Sequence, residues 1–197
     1  MADNQFVRVW DPLVRVFHWA LVVTFFVAYS TGEESPPIHE WMGYAVLGLV
    51  ILRIIWGFIG SEHARFSGFV RGPGEVLRNL RDIVTMHPKR YLGHSPAGGA
   101  MVVLLLVMLA ATTVTGIIGE EQLEQTAPTA AATAGHEEEN NGEGEQNGEE
   151  GPIAELHEVL ANVTLALVLL HVFGVILASF AHRENLVSSM FTGRKRP

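Results

Sequence analysis

"ELHEVLANVTLALVLLHVF", residues 155–173, has no charge beyond its first turn, yet it carries His157 and His171, fourteen residues apart. A stretch this apolar reads as a helix in lipid, where ionisable side chains are costly and face the bundle interior. Fourteen residues at about 100° each come to about 1,400°, within about 40° of whole turns, so the two imidazoles share a face. At about 1.5 Å per residue they stand about 21 Å apart along the axis. One therefore lies near one membrane surface and the other deep toward the opposite half.

The rest of the chain has the material for a bundle around that helix. Of its 197 residues 48% are hydrophobic and 17% charged, and the charges are clumped. Residues 159–181 and 97–118 are uncharged, each long enough to cross a bilayer core of roughly 20 residues. Residues 16–32 form a third such run, and 41–61 a fourth broken only by Arg53. The first run is read as a span and not a cleaved leader. It follows "RVWDPLVRVFHW" where a leader would have a short basic segment, and "VAYSTGEE" makes a poor cleavage site. The expectation is an all-α membrane protein, a four-transmembrane-helix bundle forming one domain over residues 1–197. Its spans are placed at about 13–31, 39–60, 97–119 and 153–181.

Twelve of the thirteen Lys and Arg residues fall at the N-terminus, between spans two and three, or in the tail. The other two connections carry none. The positive-inside rule then puts both termini and the middle loop in the cytoplasm of a bacterial inner membrane. Within that loop, "GPGEVLRNLRDIVTM" places Val76, Leu77, Leu80, Ile83 and Val84 on one helical face. It reads either as a short helix in the inner interface or as a packed cytoplasmic loop. Residues 119–152, with "HEEENNGEGEQNGEEG", hold ten acidic residues and no basic one. Such a segment cannot bury enough apolar surface to fold alone, so 120–152 is expected to be a disordered acidic outer loop. It serves either as a solubilising spacer or to steer a positively charged partner.

The chain has no cysteine, which excludes disulfides, thiolate-held iron–sulfur clusters and covalent haem attachment. Of nine histidines, His63, His87, His94 and His136 lie in or beside loops and are assigned no role. His182, at the inner end of span four, is held in reserve. The other four sort by depth. Span one enters from inside, so His18 lies in the inner half with His171. Span two enters from outside, so His39 lies at the outer end with His157. Two imidazoles at each of two levels suit two b-type haems with filled axial positions, whose flat apolar rings pack between helices. Structural zinc is the competitor, but it wants four compact ligands, usually with thiolates or carboxylates. Arg53 is fourteen residues after His39 and shares its face about 21 Å further in. It either pairs with a propionate of the inner haem or snorkels to the inner headgroups. Span three carries no histidine, and Gly98, Gly99 and Gly116 are expected to allow close packing.

"RVWDPLVRVFHW", "IHEWMGYAVLGLVILRIIWGFIGSEHARF" and "LHEVLANVTLALVLLHVF" resemble the bacterial cytochrome b561 family. The branch it most resembles is the b-type cytochrome subunit of membrane-bound nickel–iron hydrogenases. The likeness covers nearly all of the chain except the acidic loop. It implies a di-haem membrane cytochrome that exchanges electrons between the quinone pool and an outer-side redox partner. Carried over by position, the axial ligands are again His18, His39, His157 and His171. The outer partner is expected to be a hydrogenase-like subunit or a basic c-type cytochrome, and no nucleic-acid partner is expected beside the membrane lipid. Two rival readings stand next to this one. Short four-helix relatives look like superoxide oxidases that reduce quinone, which would want a cationic outer entrance where this one is acidic. A non-redox membrane anchor with structural histidines would need no two-level ladder.

Overall fold

The computed structural model describes residues 7–8, 11–32, 34–62, 64–85, 87, 89, 91, 93–133 and 151–195. Among the described residues the regular structure is helical apart from one short strand pair. The long helices are α1 (Pro12–Thr31), α2 (Pro36–Ile59), α5 (Pro96–Thr133) and α6 (Pro152–His182). Each opens on proline, whose missing N–H is no loss at a helix start and whose φ is preset for it. Three short helices complete the set: α3 (Phe66–Phe69), α4 (Pro73–Val84) and α7 (Leu186–Thr192). The four long helices are each long and apolar enough to cross a membrane, and the chain is a multi-pass membrane protein.

The observed bounds follow the hydropathy pattern closely at three helices. At the third span they do not. α5 continues from the apolar stretch ending at Gln122 to Thr133, into the segment expected to be disordered from residue 120. Residues 120–133 hold three Glu, two Gln and four Ala, which favour helix, beside three Thr and Pro128, which do not. The remaining part of the acidic loop, 134–150, lies outside the described residues.

The helices pack in an open chain: α1 along α2, α2 along α5, and α5 along α6, while α6 approaches neither α1 nor α2 as closely. The core is built from Phe17 and Phe25 of α1, Val46 and Val50 of α2, and Leu106 and Leu109 of α5. α6 contributes only half-buried Leu165 and Val168 to it. Only 6% of the apolar stretch of α6 is buried, against 17–22% in the other three. A seam therefore remains between α6 and the α1–α2 pair.

One end of the bundle is tied by Asp11. Its side chain caps α1 by accepting from Val14 N at 2.8 Å, and its other oxygen accepts from Trp56 Nε1 at 3.2 Å and from Ser61 Oγ. Burial alone would raise its pKa, but these donors outweigh that and hold the carboxyl below its ordinary value. The tail, read from sequence only as a basic segment, folds back. Arg183 turns the chain through a left-handed conformation (φ 52°, ψ 36°), and α7 returns toward α1. There Arg15 Nη1 donates to Phe191 O at 2.8 Å and Trp19 stacks on Phe191 with ring centres 4.3 Å apart. A two-residue antiparallel pairing, Val7 with Lys195 and Arg8 with Arg194, joins the two ends of the chain.

The amphipathic stretch of the middle loop is helix α4. It packs against α5 and α6, burying Asn79 and Ile83, while Leu77, Leu80 and Val84 stay exposed.

Candidate functional site

His39 stands in the first turn of α2 and His157 in the second turn of α6. Their rings meet across the seam with centres 5.8 Å apart and planes at 89°. Each ring is held by a backbone carbonyl. His39 Nδ1 donates to Ala28 O and His157 Nδ1 donates to Thr112 O, both at 2.8 Å. A carbonyl only accepts, so in both rings the proton sits on Nδ1 and the Nε2 lone pair is left for another partner. A hydrogen bond of this kind to the far ring nitrogen is how metal-ligating histidines are oriented.

The two carbonyls are available for different reasons. Ala28 lies in the last turn of α1, where carbonyls lack an intrahelical donor. Thr112 lies inside α5, one turn before Gly116 on the same face. A Cβ on Gly116 would stand 2.9 Å from the His157 ring, so any larger residue would displace the imidazole from its place by that carbonyl. Beneath it, the Thr112 and Thr164 hydroxyls pair at 3.2 Å, and Thr164 is fully buried.

His18 lies on α1 and His171 on α6. His18 Nδ1 is buried with no hydrogen-bond partner, and its ring meets Trp19 edge-on at 5.2 Å. Of the four histidines, the structure thus sets His39 against His157 in direct ring contact.

Arg53 of α2 is buried against the segment that follows that helix. It is only 2% exposed, so it does not snorkel outward. Nη2 donates to Ala64 O at 3.1 Å, the guanidinium carbon lies 5.2 Å from the centre of the Phe66 ring, and Asp11 is near enough to act on its charge. Nη1 is buried with no partner. Gly57 makes room for Phe66, since a Cβ there would overlap its ring. Of the span-three glycines, Gly99 lets the Phe69 backbone and ring approach and Gly116 admits His157, whereas Gly98 has only the Ser95 hydroxyl beside it.

The other histidines do other things. His94 packs on Phe69 with ring centres 4.5 Å apart, and His87 Nδ1 bonds Thr85 O at 2.6 Å. His63 and His136 lie outside the described residues, and His182 closes α6. Among the described residues no three His, Cys, Asp or Glu side chains converge as a metal cluster. Sequence reasoning missed Asp11, Trp56 and Ser61, which join α1 to the end of α2. It also missed the carbonyls that hold the histidines, and a backbone carbonyl leaves no mark in a sequence.

The model of the prokaryotic cytochrome b561 family matches residues 9–193. The chain belongs to that family. Two similar proteins carry the name probable Ni/Fe-hydrogenase B-type cytochrome subunit. The one from Rhizobium leguminosarum bv. viciae is 26% identical over 48% of this chain and 51% of its own length. The one from Bradyrhizobium diazoefficiens is 25% identical over 46% and 47%. The chain spans about half the length of these curated relatives. No solved structure matches it.

Cytochrome b561 proteins bind b-type haem, and the residues of this b561 chain fit that group. Two metal–imidazole bonds of about 2.0–2.1 Å, each with a ring half-width of about 1 Å, ask for ring centres about 6 Å apart. The His39–His157 separation is of that size, with both Nε2 lone pairs uncommitted. The buried Nη1 of Arg53, without a hydrogen-bond partner, is a cation that an acidic group could meet.

Proposed function

We propose that this chain is a di-haem cytochrome b carrying electrons across a bacterial inner membrane, with both termini cytoplasmic. His39 and His157 would hold the outer haem, and His18 and His171 the inner one. The observation that carries this reading is the His39–His157 pair, two facing imidazoles whose Nδ1 protons are both spent on backbone carbonyls. Bound between two imidazoles, a haem supplies reversible one-electron transfer with no open coordination position.

The chain's own residues do the rest. Ala28 and Thr112 orient the outer rings through their carbonyls, and Gly116 keeps the approach clear. Arg53, with its unpartnered Nη1, would neutralise an acidic group of the inner haem. The orientation rests on the basic residues, which cluster at the end of the bundle that holds Asp11 and α4.

Electrons pass between an outer-side carrier and quinone, which takes them up beside the inner haem. The names of the two relatives support a hydrogenase-like subunit as the carrier, and the acidic outer connection equally suits a basic c-type cytochrome. The same acidity counts against a superoxide oxidase, whose anionic substrate would be repelled there. A non-redox anchor is the remaining rival, and it would bind no haem.

Haem b per polypeptide, measured as the pyridine derivative of the purified full chain, tests the reading together with oxidised and reduced spectra. Two low-spin haems are expected. One would mean that a pair is misassigned, and none, with cofactor supplied during expression, would overturn electron transfer in favour of the anchor.

A further inference from the structure

We infer that α4 is an amphipathic helix seated in the headgroup layer of the membrane leaflet, with Arg78 and Arg81 holding anionic lipid. The inference rests on the membrane topology and not on electron transfer.

The order of side chains around α4 carries it. With Pro73 at zero and about 100° per residue, the buried residues Asn79 and Ile83 point to about 240° and 280°. The exposed apolar residues Leu80, Val84 and Leu77 point to about 340°, 20° and 40°. They are 47%, 70% and 67% exposed. Next round come Arg81 at about 80° and Arg78 at about 140°, then Asp82 and Glu75 at about 180° and 200°. Both arginines are exposed.

A helix lying on a leaflet beside a bundle needs this sequence of faces. One side packs on protein, the next enters the acyl boundary, the side away from the bundle meets phosphates, and the side opposite the lipid faces water. The two acidic residues fall opposite the apolar stripe, where they are kept away from anionic headgroups. A helix covered by a soluble protein would have no reason to separate its charges by sign in this way.

The position agrees. Asn79 Oδ1 accepts from Ala97 N at 3.2 Å, so α4 is bonded to the first turn of span three, at a surface of the bilayer. α4 also touches α6. Lipid held by α4 thus sets the depth of the bundle end that carries Arg53 and Asp11.

The absence of cysteine makes the test clean, since each introduced thiol is unique. The full chain is placed in lipid discs with and without phosphatidylglycerol, spin-labelled at Leu77→Cys, Leu80→Cys, Val84→Cys, Glu75→Cys or Asp82→Cys. Labels at 77, 80 and 84 are expected to relax with oxygen, and those at 75 and 82 with a water-soluble nickel complex. The double variant Arg78→Gln, Arg81→Gln is expected to lower enrichment of spin-labelled phosphatidylglycerol around the protein on the order of tenfold. Water exposure at 77, 80 and 84 would overturn the inference. So would shielding from both reagents, which would mean a protein cover, or unchanged lipid enrichment in the double variant.

Discussion

Gly116 lies one turn beyond Thr112 on α5, and the missing Cβ of the first gives His157 its path to the carbonyl of the second. The position of an imidazole on α6 is thereby decided by a hydrogen atom on α5. Substitution should show it in graded form. Gly116→Ala puts a methyl 2.9 Å from the ring and Gly116→Val adds two more carbons, an overpacking cost of about 1–3 kcal/mol. The expected result is a shifted outer-haem spectrum in the first variant and loss of about half the haem in the second. Full haem with an unaltered spectrum in Gly116→Val would show that His157 does not depend on this contact.

The two pairs predict two separate losses. His39→Ala should remove the haem shared with His157, and His171→Ala the one shared with His18, each leaving one haem per chain. Spectra of the two variants should sum to that of the parent. If either substitution empties both levels, the pairs are coupled through the seam and the depth assignment fails.

Arg53 is buried with one nitrogen unpartnered. A fixed positive charge stabilises the reduced form of a neighbouring haem, so Arg53→Gln should lower one midpoint potential by on the order of tens of millivolts. Arg53→Lys should retain most of the charge effect while losing the fork. Redox titration that finds both potentials unmoved in Arg53→Gln would leave the arginine with a packing role against Phe66.

Asp11 joins the start of α1 to the end of α2 through Trp56 and Ser61. Asp11→Ala removes a helix cap, worth about 1 kcal/mol, and strands the partly buried Trp56 N–H. The detergent-solubilised variant should melt several degrees lower. Because the folded carboxyl is held below its ordinary value of 3.8, its charge contributes stability that is complete above that value. That contribution is lost as pH falls through the lower folded value, so parent and Asp11→Asn should converge in acid. Equal melting temperatures at neutral pH for parent and Asp11→Ala would refute the role.

Deleting residues 136–150 removes seven acidic residues from the outer connection. If they steer a basic carrier, reduction of that carrier should slow and lose much of its salt dependence. An unchanged rate at low salt would make the segment a spacer.

Sequence alone determined the four spans and the facing of His157 and His171. Both follow from a bilayer's demand for about 20 apolar residues and from the fixed helical repeat. Proline marked every long helix start for the same local reason. α5 runs past residue 119 to Thr133, a length that no apolar pattern marks. The apolar stretch of α4 was legible as a face, but its division into buried Ile83 and exposed Leu77, Leu80 and Val84 depended on where α5 and α6 stand.

Only the tertiary structure decided which partners hold the site. Thr112 and Ala28 act through carbonyls that every residue possesses, Asp11 meets Trp56 forty-five positions away, and Arg53 turns inward because Phe66 and Ala64 are folded against it. Helix periodicity is a property of each segment by itself, so a sequence displays it. A hydrogen bond between segments depends on their mutual depth and rotation, and those exist only after the helices have packed.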